Sequence, residues 1–192
     1  MLGEVRTINV YTPPEYASDT AAFPVLYMLD GGMSEDFPHV ANTIDSLIRL
    51  RLIPPVLVVG IENTERRRDL TGPTTVAKDS AIAPRVGGSA AFRSFIRDEL
   101  IGVWWNGGEA VRAAHSHIGA LRGAQRVLYL AAANEPQIAE ATAELAAILK
   151  AQSADLVLFY APRPDLAHDT IFRALAPSAF SKVLGEGVLD PD

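Results

Sequence analysis

Val25-Leu26-Tyr27-Met28-Leu29-Asp30-Gly31-Gly32 decides the fold. Five apolar residues in a row, closed by Asp-Gly-Gly, predict a fully buried strand that ends in a sharp turn. A buried run without polar alternation is the pattern of a parallel sheet covered on both faces. Glycine after such a strand lets the backbone turn tightly and lets a ligand approach its N–H groups.

Working outward, the same logic finds more strands. Val5, Ile8 and Val10 form a short β-branched stretch bounded by Thr12-Pro13-Pro14, which predicts an edge strand. Downstream, Val56 to Ile61, Arg126 to Ala131 and Leu156 to Tyr160 are further apolar runs. Between them lie helical patterns. Asp36 to Leu52 carries Val40, Ile44, Leu47 and Ile48 on one face, and Pro54-Pro55 is expected to end it. Ser89 is placed to cap a helix running to about Ile101, and Asn134 to cap one running to about Ala151. Thr170 to Leu184 is expected to be helical, with Pro177 breaking or kinking it. Glu62 to Gly88 is expected to be a long loop. Strand, helix, strand in this order makes a crossover unit of an α/β fold.

The 192 residues suit one domain, spanning 1–192. Apolar residues at 48% and charged residues at 21% argue against disorder. A net charge of −6 argues against nucleic acid or an anionic membrane as partner. The absence of cysteine excludes disulfides, thiolate metal sites and a cysteine nucleophile. No run approaches the roughly 20 apolar residues a bilayer span needs. The start shows no signal-peptide pattern, so a cytoplasmic address is expected. His115 and His117, two apart, do not share a helical face, so no metal site is expected, and no cofactor either.

Two strand ends carry acid–base candidates. Glu135 follows the third long apolar run and His168 follows the fourth. In open α/β sheets, ligands bind beyond the carboxyl ends of the strands. The order carboxylate, then histidine, matches the last two members of a Ser…Asp/Glu…His triad. There the carboxylate orients the imidazole, which removes the nucleophile's proton. Gly31 and Gly32 stand where backbone N–H groups would hold an oxyanion. The Arg66-Arg67-Arg68 run reads either as a solvated loop or, through Arg67 and Arg68, as a contact to an anionic substrate. Trp104 and Trp105 read as core or as pocket wall.

Tyr11 to Tyr16, then Pro24 to Gly31, resembles the start of the esterase D family of α/β-hydrolases, which includes the enterochelin (siderophore) esterases. Pro55 to Ile61 with Arg66 to Thr71, Phe92 to Ile101, Trp104-Trp105, Asn134-Glu135-Pro136 and His168 are similar to its later landmarks, in order. The resemblance implies a three-layer α/β sandwich, with a mostly parallel sheet and an N-terminal edge strand. It implies hydrolysis of a small-molecule carboxylic ester through an acyl-enzyme. His168 would be the base, Glu135 its orienting acid, and Gly31, Gly32 and Met33 the oxyanion loop.

One block departs from that pattern. Between Ile101 and Gly102 the family places a strand, the G-x-S-x-G elbow, a helix and another strand. Roughly fifty residues are missing, on the scale of one to two crossover units of ~30 residues each. With them goes the serine nucleophile. Gly87-Gly88-Ser89-Ala90-Ala91 fits an elbow only loosely, because no buried strand precedes it, and Ser116 has no strand leading into it. The expected activity is therefore an impaired esterase. The alternative is a non-catalytic remnant that keeps the pocket as a binding surface. The sheet edges left by the missing block are expected to be paired anew, within the chain or with a second copy as a homodimer.

Overall fold

The computed structural model describes residues 2–17, 22–75, 85–100, 126–152 and 156–185. In these residues the order is β1 (Ile8–Tyr11), β2 (Val25–Met28), α1 (Phe37–Arg49), β3 (Leu57–Ile61), α2 (Arg66–Leu70) and α3 (Ser89–Ser94). A π-helical turn (Phe95–Leu100) follows, then β4 (Arg126–Ala132), α4 (Pro136–Gln152), β5 (Leu156–Pro162) and α5 (His168–Leu184).

β3 lies between β1, antiparallel at the edge, and β2, parallel to it. β4 and β5 form a separate parallel pair in register, from Arg126 opposite Leu156 to Ala132 opposite Pro162. The architecture is thus α/β with mostly parallel strands and an N-terminal edge strand. Among the described residues, β2 and β4 are each paired on one side only, and neither of these edges is paired anew within the chain.

Alternation along β3 sorts its side chains into two cores. Val58 packs on one face with Val40, Ile44, Leu47 and Ile48 of α1 and with Phe180 and Leu184 of α5. Val59 and Ile61 pack on the other, with Phe92, Phe95, Ile96 and Leu100. Helices therefore cover both faces, which is why β3 reads as an unbroken apolar run. The layers of the two strand groups meet through α1 and α5, where the His39 and Phe172 rings lie edge to face at 6.1 Å.

Several helix ends fall short of, or beyond, the expected positions. α1 stops at Arg49, before Pro54. The N–H of Arg51 bonds the Ile48 carbonyl and that of Leu52 the Leu47 carbonyl, with Arg51 at φ 56°. This is a Schellman ending, and it closes the helix before proline can act. At α3 the capping position belongs to Gly88, whose carbonyl takes the Phe92 N–H, and Ser89 is the first helical residue. α4 starts at Pro136, where a missing N–H is harmless, so Glu135 rather than Asn134 supplies the first accepting carbonyl. α5 continues through Pro177. The segment 62–88, expected to be loop, contains α2. Among the described residues, no helix is long and apolar enough to cross a membrane.

Candidate active site

The carboxyl ends of β4 and β5 are tied together by main-chain bonds. Arg163 N–H bonds the Ala132 carbonyl at 2.8 Å, and Asn134 N–H bonds the Leu166 carbonyl at 2.8 Å. These bonds hold the loop after one strand against the loop after its neighbour. Glu135 ends the first loop, and His168 opens α5 at the end of the second. The result is a direct contact: Nδ1 of His168 lies 2.9 Å from Oε2 of Glu135. The imidazole is 80% exposed, so its other nitrogen is open to whatever enters from solvent. Thr170 Oγ1 accepts the Ala167 N–H at 3.1 Å, half of a capping box, and so fixes the backbone next to the histidine.

This pair borders a cavity of about 540 Å³ that the two strand groups share. Leu29, Asp30 and Arg66 line it from the side of β2 and α2, and Ala131 to Ala133, Ile138 and Phe172 line it from the other. Asp30 has φ 54°, a left-handed conformation that aspartate tolerates better than most residues. It receives Arg66 bidentately, at 2.6 and 3.0 Å. Arg66 above all, and then Asn63, hold the Asp30 carboxyl below its usual range against the opposing effect of burial. Across the cavity Arg173 pairs with Asp36 at 3.3 Å.

The glycine turn is packed and hydrogen-bonded. Gly31 N–H bonds the Ile61 carbonyl at 3.0 Å, and a Cβ on Gly31 would meet Ile61 N at 2.2 Å, so only glycine fits. Gly32 N–H is received by Glu35 Oε2 at 2.7 Å, and Glu35 N–H returns to the Gly32 carbonyl at 3.0 Å. Met33, next in the turn, is 64% exposed.

Glu135 and His168 are thus brought together, with the Asp30 end of the glycine turn facing them across the cavity. Arg67 and Arg68 are not among its lining residues, whereas Arg66 is. Arg68 instead bonds Glu4 at 2.6 Å and Asp69 at 2.7 Å. Trp104 and Trp105 lie outside the described residues, as do His115, Ser116 and His117. Among the described residues, none that lines the cavity carries a hydroxyl or a thiol, and no group of three or more histidines and carboxylates could hold a metal ion. Sequence reasoning missed Glu35 and Asn63. The first had a signal, since Gly32-x-x-Glu35 is the spacing of a capping box. The second directly follows Glu62 at the end of β3, where an open sheet places its ligand groups.

The fold recurs in proteins of known structure. The fold is shared with an IroE-like serine hydrolase from Shewanella oneidensis, at TM-score 0.72 and 19% identity over 93% of this chain and 75% of that one. It is shared with the BES protein of Bacillus cereus, at 0.68 and 16% over 92% and 90%. It is also shared with the siderophore hydrolase EstA of Aspergillus nidulans, at 0.65 and 16% over 89% and 87%. In sequence, 66 residues are 30% identical to the uncharacterized protein YbbA of Bacillus subtilis (strain 168), covering 34% of this chain but only 26% of that relative. A family model described as "Esterase: Putative esterase" matches residues 1–154, well over half the chain, and the chain therefore belongs to the esterase family.

Proposed function

We propose that the cavity receives a small-molecule carboxylic ester and that His168, oriented by Glu135, is the base that hydrolyses it. The observation that carries this reading is the 2.9 Å contact between the two side chains at the rim of the cleft. An ionised Glu135 accepts the Nδ1–H, which leaves Nε2 with its lone pair. Nε2 takes the proton from the attacking oxygen as that oxygen bonds the ester carbonyl carbon. When the tetrahedral intermediate collapses, the carbon–alkoxide bond breaks and Nε2 returns the proton to the departing alcohol.

In the enzymes this family resembles, the attacking oxygen belongs to a serine. No described lining residue offers one, so the proposed activity is weak, with attack left to water. Enzymes stripped of their nucleophile keep rate enhancements of about 10³–10⁴ over water. The test is hydrolysis of p-nitrophenyl acetate, combined with intact-mass analysis after a fluorophosphonate probe. Slow turnover without an adduct fits the proposal. A stoichiometric adduct on Ser89 or Ser116 would replace water with an enzyme hydroxyl.

A second reading is a non-catalytic remnant that binds an ester or a related ligand. It is favoured by the capture of the Gly32 N–H by Glu35, which leaves that donor turned toward a protein carboxylate. No turnover above buffer would select it. For a further partner we propose a second copy of this chain, joined through the edge of β2 or β4, each unpaired on one side among the described residues.

A further inference from the structure

Three N–H donors converge on one carboxylate beside the proposed site. Gly32 N–H meets Glu35 Oε2 at 2.7 Å, and the Asn63 main-chain N–H meets the same oxygen at 3.4 Å. The Asn63 side-chain amide donates to Glu35 Oε1 at 2.7 Å. Two of these donors thus meet at Oε2 and the third at Oε1, and donors converging on a negative oxygen are what a tetrahedral oxyanion needs. The reciprocal Gly32–Glu35 bonds also start the turn into α1 in the manner of a capping box. That role accounts for one donor. It does not account for the two from Asn63, which comes from a different strand end. Gly32 itself is buried, and a Cβ there would sit 2.8 Å from Glu35 Oε2 and 2.9 Å from Glu62 Cγ, so those side chains would have to shift to admit it. Two residues earlier, Asp30 faces the cavity, and Asn63 is tied to Asp30 Oδ1. The donor cluster therefore adjoins the cleft through Asp30, while Gly32, Glu35 and Asn63 do not themselves line it.

We propose that Gly32 and Asn63 form the oxyanion hole of this cleft and that Glu35 keeps it occupied, acting as an internal latch. Asn63 supplies the second donor that a nucleophile elbow would otherwise bring. The proposal rests on the ester-hydrolysis reading above. Charge developing on the carbonyl oxygen competes with the Glu35 carboxylate for the same N–H groups, so the rate is set by how readily Glu35 swings away. Glu35 is a positioning residue here, and Asn63 touches the reacting oxygen.

The experiment is p-nitrophenyl acetate turnover in the full chain, read as the part of the rate lost in His168→Ala. One oxyanion donor is worth about 10²–10³ in kcat. Glu35→Ala is expected to raise kcat by about tenfold or more, less than a full donor's worth because the turn also loses its cap. Glu35→Asp, which withdraws the carboxylate by one methylene, is expected to raise it as well and guards against a fold lost with alanine. Glu35→Gln, whose neutral amide oxygen still accepts from Gly32 but holds it less strongly than a carboxylate, is expected to raise kcat by less than Glu35→Ala does. Adding Asn63→Ala to Glu35→Ala should cancel the gain. A His168-dependent rate that is unchanged or lower in folded Glu35→Ala and Glu35→Asp would overturn the latch and leave the hydrolysis reading standing. A gain that survives the double substitution would overturn the role of Asn63. A wild-type rate that does not depend on His168 would overturn the hydrolysis reading and the latch together.

Discussion

Asp69 is the described charged residue buried most completely, and its neighbours show why it stays ionised. Burial pushes its carboxyl upward, but hydrogen bonds from Arg68 and Arg6 more than offset this and hold it below the usual range. Arg6 in turn lies over the Phe92 ring at 5.1 Å and bonds Glu4. Arg68, the first cause, with Thr64 and Arg6, draws the Glu4 carboxyl from its ordinary 4.5 to about 2, against a smaller opposing effect of burial. A folded-state value below the unfolded one adds stability above pH 4.5 and loses it as pH falls toward 2. Glu4→Gln is therefore expected to be less stable than wild type at neutral pH, by about 1 kcal/mol or less for so accessible a pair. Urea unfolding across pH should show the gap closing between pH 4.5 and 2. A gap independent of pH would contradict the ion-pair account. This cluster also explains a limit of sequence reading. Three consecutive arginines look alike in the chain, yet Arg66 lines the cavity while Arg68 turns to Glu4 and Asp69. A five-residue helix within an expected loop sets that difference, and no periodicity announces so short an element.

Among the elements, the strands were the most legible, as apolar runs; β3 is buried along most of its length, whereas β2, expected to be fully buried, is only half-buried. Helix ends were less legible. Arg51 takes a left-handed φ that glycine usually supplies, so the Schellman ending of α1 had no residue to mark it. The contact of β3 with α1 rests on a glycine whose reason is visible only in three dimensions. A Cβ on Gly60 would meet Phe37 Cδ2 at 2.4 Å and the Gly31 carbonyl oxygen at 2.7 Å. Gly60→Ala is expected to cost about 1–3 kcal/mol, as overpacked cores do. Gly72→Ala, with nothing within 4 Å of its Cβ, serves as the control and should differ little from wild type. Chemical denaturation of the two variants checks this, and equal midpoints would mean that α1 shifts freely over the sheet.

At the scale of the molecule, β1, β3 and β2 on one side and β4 with β5 on the other face a common cleft, and among the described residues β2 and β4 each have an open edge. The pairing of Glu135 with His168 was legible from chain order and strand ends, because a parallel sheet puts all its carboxyl ends on one rim. The three donors around Glu35 were not, since Asn63 and Gly32 approach only after β2 and β3 pair. Open edges of apolar strands invite pairing. Sedimentation at rising concentration is expected to show a dimer, and a strict monomer throughout would remove the second copy as partner. The central claim, that this cleft hydrolyses esters through His168 held by Glu135, is tested most directly by p-nitrophenyl acetate turnover of wild type against His168→Ala. The account predicts a slow wild-type rate above buffer that falls to the buffer rate in the variant, and equal rates in the two proteins would contradict it.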